Sequence, residues 1–354
     1  MVGGMSPRPI SARPTLSAVA EAAGTSIPTV SKVLRGGTDV SAETRAKVMA
    51  AVQAVGYVRK GMKSALTADA ASGDSGLSNL LELVVTHLEG SWANLVLAGI
   101  GHEAASAGLD VVLTLAKPDT DWASRILRRR SVGIVGVLLD PGTAQFSTLC
   151  AAGIPMVLIE PMQAAPGGTA GIGLANWDAG RLAAEHLLSL GHRRMGVIAG
   201  SPKHIYSRAR VDGFRSAVAA VGAPDTAVAV APGRWKEDRA AADTHELLDK
   251  DPTITAIFAC SDSMALGVYS ALAERGLRVP EDVSVVGFDD LPEAHWISPP
   301  LTTVRQPSRE MGESAVRMLL DLARAENPTD RARPRLEMAA ELVVRASTGP
   351  ARSA

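Results

Sequence analysis

The sequence is poor in aromatic residues and cysteines, and it has no long apolar run. Aromatic side chains make up 3% of the 354 residues, and the two cysteines are Cys150 and Cys260. Apolar stretches such as residues 154–159 are far too short to cross a bilayer. Residues 1–14 are rich in Gly, Pro, Ser and Arg and lack the apolar core of a secretion signal. We therefore expect a cytoplasmic protein without a membrane anchor.

Motifs for metal binding and catalysis are also missing. Cys150 and Cys260 have no CxxC spacing and lie in apolar, strand-like surroundings, so we expect two buried thiols rather than a disulfide or a metal pair. The HExxH, GxSxG and GKS/T patterns do not occur. Residues 99–104 have the spacing of a dinucleotide-binding loop, but they fall inside a helical pattern that lacks the tight turn needed to hold a phosphate. The sequence predicts no metal, no cofactor and no catalytic residue.

The net charge of −1 hides an asymmetry along the chain. Residues 1–66 contain nine Lys or Arg and three Asp or Glu, a net of +6, and the remaining 27 basic and 34 acidic residues give −7. The length suits two or three domains. A small basic domain attached to a larger acidic one is typical of proteins whose basic domain binds phosphate groups. The charge pattern taken alone favours the simpler interpretation, a cationic surface exposed to solvent.

The basic segment has the pattern of three short helices. Thr15 can cap a first helix with its apolar positions on one face, and Gly24 ends it. Ser26 can cap a second helix over residues 27–34, and Ser41 can cap a third. Two short helices joined by a tight turn that contains glycine form a helix-turn-helix, whose second helix is available for the major groove of DNA.

This segment resembles the DNA-binding head of the lactose-repressor family of bacterial transcription regulators. The match covers the helix spacing, the Ala-Gly turn, Thr-Val-Ser before a basic residue, Val-Ser-x-x-Thr-Arg and the closing Gly-Tyr. The resemblance implies that Ile27, Pro28 and Lys32 meet base edges, with Lys32 alone offering a side-chain hydrogen-bond donor. Phosphate contacts are expected from Thr15, Ser26, Thr29, Ser31 and Ser41. In the alternative interpretation Ser26 and Ser41 are helix caps only, and the two roles are compatible.

The resemblance continues into a hinge. Family members usually have Pro-Asn and then a short hinge helix, whose leucine wedges into the minor groove. Here Arg59 and Lys60 stand at the Pro-Asn positions, and Leu66 stands at the wedge position, where it kinks the DNA or, alternatively, packs against the core or linker. We predict a disordered leader over residues 1–14, a DNA-binding head over 15–60, a hinge helix and linker over 61–78, and a two-lobed domain over 79–350.

From residue 79 onwards, short β-type runs alternate with helical segments in two series. This alternation predicts a two-lobed α/β domain with two parallel sheets, and a ligand cleft between the carboxyl ends of their strands. The segment also resembles the family's effector domain, which shares the fold of periplasmic sugar-binding proteins. The matching stretches are residues 191–194, 210–214, 261–267, 279–290 and 300–306. Crossovers between the lobes are expected near residues 176 and 306.

A sugar effector needs planar groups that donate and accept hydrogen bonds, and an aromatic face for its C–H surface. Arg210 and Asp289 stand at family effector positions, or alternatively pair with each other or with helix ends. Three tryptophans in loops that follow strands are candidates for stacking rather than core packing: Trp92, Trp177 and Trp235. The predicted effector site is completed by Asn176, Asp178, Ser261 and Gln306. Of the other tryptophans, Trp122 is assigned to the core, and Trp296 either lines the cleft or packs under the hinge.

These features predict a homodimeric, sequence-specific regulator, a repressor of genes for sugar uptake or catabolism that responds to a small carbohydrate between its lobes. A dimer is expected because one head makes few base contacts, whereas two heads on a pseudopalindrome multiply affinity. A sugar-binding transport protein and an α/β enzyme that acts on a sugar share the same body. The basic head and the missing secretion signal argue against the transport protein, and the missing catalytic motifs argue against the enzyme.

Overall fold

The computed structural model describes residues 15–34, 40–55, 79–166, 169–222, 224, 227–324 and 334–352. The predicted leader, Arg59, Lys60 and the predicted hinge and linker with Leu66 lie outside these residues. Within the described part of the chain, no helix is both long and apolar enough to cross a membrane.

The head contains helices α1 (Leu16–Ala22), α2 (Ile27–Leu34) and α3 (Ala42–Val55). Between the first two, Gly24 turns the chain with a φ of 61°, a left-handed conformation that favours glycine. One side of each helix faces a small shared core, whose buried members are Val19, Ala20, Val30, Val33, Leu34, Val48, Ala51 and Val52. The predicted helix-turn-helix head is confirmed.

The first lobe is built on a parallel sheet. Its strands are β1 (Leu80–Val85), β2 (Asp110–Leu115), β3 (Ser131–Val137), β4 (Met156–Ile159), β5 (Ala170–Leu174) and β11 (Arg335–Met338). They lie in the order β11-β5-β4-β3-β1-β2, and every pair is parallel. The helices of this lobe are α4 (Ser91–Ser106), α5 (Trp122–Arg128), α6 (Ala144–Ala151) and α12 (Ser308–Arg324). Helices α4 and α12 pack on one face of the sheet, and α5 and α6 on the other.

The second lobe repeats this plan. Its strands are β6 (Met195–Ala199), β7 (Val228–Pro232), β8 (Ala256–Ala259), β9 (Ser284–Asp289), β10 (Thr302–Arg305) and β12 (Glu341–Val343), in the order β12-β10-β9-β8-β6-β7. All pair in parallel except β12, which runs antiparallel to β10. The helices are α7 (Asn176–Ser189), α8 (Ile205–Ala220), α9 (Glu237–Lys250), α10 (Asp262–Glu274) and α11 (Pro292–Trp296). The predicted pair of α/β lobes is confirmed, with one antiparallel edge strand in addition.

The described chain passes between the two sheets at three places. These are Ala175 between β5 and α7, residues 306–307 between β10 and α12, and residues 339–340 between β11 and β12. The third passage was not predicted, because β11 and β12 are only four and three residues long and leave little pattern in the sequence.

Helices α7 and α8 touch backbone to backbone just after the first passage. A β-carbon on Gly180 would overlap the backbone of Arg210, and one on Gly213 would overlap that of Trp177. Glycine at both positions therefore lets the two helices approach closely, and Arg210 lies beside the start of α7.

The two cysteines and two of the tryptophans show how far the expected core agrees with the observed one. Cys260 follows β8 and is buried, but Cys150 lies in α6 and is exposed, and neither is in a disulfide. The prediction of a buried thiol at Cys150 is wrong because the apolar residues near it occupy one face of a helix, not a strand. Trp122 is buried at the start of α5, as predicted, whereas Trp296 is 78% exposed at the end of α11.

Candidate functional site

The exposed face of α2 carries the residues predicted to read DNA. Val30 and Val33 are buried, and the opposite face presents Ile27, which is 46% exposed, together with Pro28 and Lys32. An apolar side chain and a lysine on one helix face suit contact with a thymine methyl group and with a guanine edge. Base readout by these three residues remains a prediction.

The hydroxyl side chains of the head cap its helices. Backbone N–H groups of Ala18, Thr29 and Thr44 donate to the hydroxyls of Thr15, Ser26 and Ser41 at 3.2, 3.3 and 3.2 Å. Each of these bonds satisfies an N–H group that has no partner inside its own helix. The capping role is thus observed at all three positions. Phosphate contact by Thr15, Ser26, Thr29, Ser31 and Ser41 remains a prediction.

Arg210 lies at the centre of a buried polar cluster between the lobes. Its Nε donates to Asn176 Oδ1 at 2.8 Å, and its NH1 donates to the carbonyl oxygen of Cys260 at 2.7 Å. The guanidinium carbon lies 3.6 Å from the centre of the Phe288 ring, and NH1 lies 3.8 Å from Asp289 Oδ1. The structure therefore brings Arg210, Asn176 and Asp289 together, and it also shows the Arg210–Asp289 pair that the alternative interpretation anticipated.

Asp289 ends β9 and receives a second predicted residue. Gln306 Nε2 donates to Asp289 Oδ1, while Gln306 Oε1 is buried without a hydrogen-bond partner among the described residues. Burial raises the pKa of Asp289 to about 7, and the nearby Arg210 guanidinium opposes that rise. The carboxyl group therefore titrates near neutral pH, and an acceptor on Gln306 is available to a ligand hydroxyl.

Glu160 belongs to the same cluster and was missed in the sequence. Its carboxylate accepts from the Leu174 N–H at 2.5 Å and from Asn176 Nδ2 at 3.2 Å with both oxygens. Burial raises its pKa, and the hydrogen bond from Leu174 acts in the opposite direction. A signal was present, because Glu160 is a charged residue directly after an apolar strand, where ligand sites of α/β sheets lie.

Trp235 forms an aromatic cluster with two residues that were also missed. Its ring centre lies 5.6 Å from that of Tyr206 and 6.3 Å from that of His204, to whose Nδ1 the indole N–H donates at 3.1 Å. The indole lies against Gly200, where a β-carbon would overlap it. The Arg210 guanidinium lies 5.7 Å from the Trp235 ring. Tyr206 was detectable as an aromatic residue four positions before Arg210 on the same helix.

Three residues of this region have positive φ angles that non-glycine residues rarely adopt. The values are 45° at Glu160, 64° at Trp235 and 109° at Asp289. Such conformations cost roughly 1–3 kcal/mol each and concentrate at binding and active sites. Their presence at three strand-end positions around one cluster marks this region as the candidate ligand site.

The remaining predicted effector residues lie around the cluster in less central places. Ser261 caps α10 by accepting from the Met264 N–H at 3.2 Å. Trp92 lies half-buried in the first turn of α4, and its buried Nε1 has no acceptor among the described residues. Next to it, Ser91 Oγ donates to Glu293 Oε1 of the second lobe and so links the two lobes directly.

Trp177 and Asp178 face outwards at the start of α7. Trp177 is 43% exposed, and Asp178 is exposed beside Arg181 at 3.4 Å. Both line a cavity of about 340 Å³ that also touches Glu160, Asn176 and Tyr206. The predicted effector residues are therefore split between an inner cluster around Arg210 and this outer cavity.

The chemistry of the site suits binding rather than catalysis. Arg210, Asn176, Gln306 and two carboxylates offer paired donors and acceptors next to an aromatic face. No group of three or more His, Cys, Asp or Glu side chains in the described ranges is placed to hold a metal ion. Such an arrangement complements a neutral, hydroxyl-rich ligand with an apolar face.

Comparisons with known proteins agree with this architecture. The model of bacterial regulatory proteins of the lacI family matches residues 15–60, and that of the periplasmic binding protein-like domain matches residues 184–348. The HTH-type transcriptional regulator CelR of Thermobifida fusca is 32% identical over 345 residues, which are 95% of this chain and 98% of the relative.

Two similar solved structures cover the head as well as the lobes. A transcriptional regulator CelR–cellobiose complex has a TM-score of 0.71 and 30% identity over 95% of this chain and 100% of that chain. A lac repressor dimer bound to operator and the anti-inducer ONPF has a TM-score of 0.68 and 28% identity over 95% of this chain and 99% of that chain. By its head, its two lobes and these similarities, the chain belongs to the lacI family of bacterial transcriptional regulators.

Proposed function

We propose that this regulator is a repressor of genes for sugar uptake or catabolism, and that a small carbohydrate bound between its lobes controls its affinity for operator DNA. The observation that carries the proposal is the pairing, in one chain, of a head with an exposed recognition helix and a cluster between the lobes in which the buried Arg210 and Asp289 lie beside the half-buried Trp235.

A carbohydrate is the effector class that the inner cluster favours. Sugar hydroxyls both donate and accept, so they complement the guanidinium of Arg210 and the carboxylate of Asp289. They also complement Gln306 Oε1, which has no hydrogen-bond partner in the part of the chain that the structure describes. The C–H face of a sugar ring complements the aromatic surface of Trp235. The cellobiose complex of a similar regulator supports the same class of ligand.

A dimer is supported by an apolar sheet edge in the first lobe. Strand β2 ends the sheet, and its Val111 and Leu113 are 37% and 44% exposed. An exposed apolar edge strand is a liability unless another surface covers it. We propose that a second copy of the chain covers β2, which places two heads side by side for a pseudopalindromic operator.

Effector control follows if the ligand prefers one arrangement of the lobes. Glu160 comes from the first lobe, and Arg210 and Asp289 come from the second, so a ligand among them contacts both. A ligand shifts such an equilibrium only by its difference in affinity for the two arrangements. The first lobe begins at β1, directly after the predicted hinge, so a change in lobe angle reaches the hinge and its Leu66.

The test is footprinting of the DNA around neighbouring genes, with and without a panel of sugars. We expect a protected pseudopalindrome whose protection changes with one sugar and is lost in Lys32→Ala. Absence of any protected site, or protection that does not depend on Lys32, contradicts the DNA-binding part of the proposal. Protection that no sugar alters contradicts the effector part.

A further inference from the structure

The outer cavity lies between the lobes beside the inner cluster. Its first-lobe wall is formed by β4, β5 and β11, and its second-lobe wall by the starts of α7 and α8. The Ile205 N–H donates to the Met162 carbonyl oxygen at 3.0 Å and closes one side by joining the two lobes. A ligand in this cavity therefore contacts both lobes at once.

Three residues belong to the cavity and to the inner cluster together. The Tyr206 ring centre lies 5.6 Å from that of Trp235, and Asn176 Oδ1 lies 2.8 Å from Arg210 Nε. Glu160 accepts from Asn176 and also lines the cavity. The outer cavity and the inner cluster therefore lie next to each other and share these three residues.

The outer cavity repeats the chemistry of the inner cluster. Trp177 offers a partly exposed indole, as Trp235 does inside. Charged groups stand at the rim: Asp178, Glu337 and Arg335, whose NH2 donates to the Ala165 carbonyl oxygen at 3.3 Å. An aromatic face beside side chains that accept and donate hydrogen bonds is again what a hydroxyl-rich ring needs.

We infer that the effector has at least two sugar rings, with one on the inner cluster around Arg210 and Trp235 and the next in the outer cavity against Trp177. The inference rests on the proposed function and extends it to the length of the ligand. A cavity of about 340 Å³ lies at the lower end of the range for small-ligand pockets, which suits one further ring rather than a long chain.

This arrangement also links ligand length to regulation. A single ring on the inner cluster leaves the outer cavity without a ligand. A second ring adds contacts to β5 and β11 on one side and to α7 and α8 on the other, so it strengthens the preference for this lobe arrangement. We therefore expect disaccharides to change operator affinity more than their component monosaccharides do.

The experiment is isothermal titration of the full chain with matched sugar pairs. The pairs are glucose with cellobiose and with maltose, xylose with xylobiose, galactose with lactose, and mannose with mannobiose. The variants are Trp177→Ala and the conservative Trp177→Phe, with Arg210→Ala to report on the inner cluster. Trp177 is 43% exposed, so its replacement leaves the fold intact, and thermal unfolding of each variant checks this.

We expect one disaccharide to bind at least about tenfold more tightly than its monosaccharide, as one further stacked ring predicts. Trp177→Ala should remove most of that advantage and leave the monosaccharide affinity unchanged, and Trp177→Phe should restore much of it. The two-ring inference is overturned if a monosaccharide binds as tightly as its disaccharide, or if Trp177→Ala lowers the affinity for both sugars equally. Either result leaves the sugar proposal standing. If no sugar of the panel binds, the sugar proposal itself fails.

Discussion

Replacing Arg210 by alanine tests the buried cluster most directly. The change removes the guanidinium that lies 3.8 Å from Asp289 Oδ1, and it leaves Asn176 Oδ1 and the Cys260 carbonyl oxygen without their donor. It also removes the cation that opposes the rise in the pKa of Asp289. We expect Arg210→Ala to abolish the sugar response while the separate head still binds DNA.

The expected loss of stability follows from the same distances. At 3.8 Å and an effective dielectric constant of about 20, the attraction between the two charges is about 4 kcal/mol. Breaking a buried pair by removing one partner typically costs about 3–5 kcal/mol. We therefore expect Arg210→Ala to lower the free energy of unfolding by about 3–4 kcal/mol at pH 8, where Asp289 is ionised.

The loss should depend on pH in a defined direction. Burial raises the pKa of Asp289 to about 7, so the wild-type pair is mostly ionised at pH 8 and mostly neutral on the Asp289 side at pH 6. Below pH 7 the substitution therefore lowers the free energy of unfolding by less than at pH 8, because protonation of Asp289 has already weakened the ion pair in the wild type. Without Arg210 the pKa of Asp289 rises further, so the folded variant keeps the proton on this carboxyl group to higher pH. The stability of the variant therefore continues to fall as the pH increases above 7.

The assay is urea unfolding at pH 6 and pH 8, followed by tryptophan fluorescence, with Asp289→Asn and the double variant to complete a cycle. Arg181→Ala is a matched control: the ion pairs of Arg181 with Asp178 and Glu185 lie at the surface, so this substitution should leave stability nearly unchanged. A loss below about 1 kcal/mol at pH 8, or equal losses at both pH values, would refute the ion-pair reasoning. Loss of DNA binding by folded Arg210→Ala would instead assign Arg210 a role in the whole fold.

Three further predictions concern the head, the aromatic cluster and the dimer. Lys32→Ala should weaken operator binding about tenfold and reduce the preference for operator over unrelated DNA, measured by fluorescence anisotropy against Lys47→Ala, and an unchanged affinity contradicts the role of Lys32. Gly200→Ala should displace the Trp235 indole, lower sugar affinity and cost about 1–3 kcal/mol of stability through overpacking, and unaltered affinity in titration argues against Trp235 as a ligand contact. Replacing Val111 and Leu113 together by lysine should yield monomers in sedimentation, whereas Val221→Lys, at an even more exposed apolar position, should not; a persistent dimer places the interface elsewhere.

Much of the candidate site was predictable from residue type and position relative to strands. Arg210, Asp289, Asn176, Gln306 and Trp235 all reach one cluster. Asp289, Asn176, Gln306 and Trp235 each end or follow a strand, whereas Arg210 lies within α8, the helix that follows β6. Their pairing was not predictable. Arg210 and Asp289 meet because α8 and β9 pack in the same lobe, and nothing local in the sequence encodes that distance.

The misses have a common physical reason. Cys150 was misplaced because the apolar residues around it fit a strand as well as one face of a helix, and only packing against the sheet decides between them. Glu160 was passed over because a carboxylate at the end of an apolar run looks like the end of a strand. Its role depends on Leu174 and Asn176, which reach it only after the chain has returned through β5.

The sequence by itself determined the head and the α/β plan of the lobes. Both depend on interactions between residues a few positions apart, such as the caps at Thr15, Ser26 and Ser41, and on apolar periodicity that any folded arrangement must bury. Tertiary structure alone decided how the five tryptophans are used. Trp122 fills the core, Trp92 is half-buried at the start of α4, Trp296 faces solvent, Trp235 stacks in the inner cluster and Trp177 lines the outer cavity. The burial of each side chain depends on which distant elements pack against it.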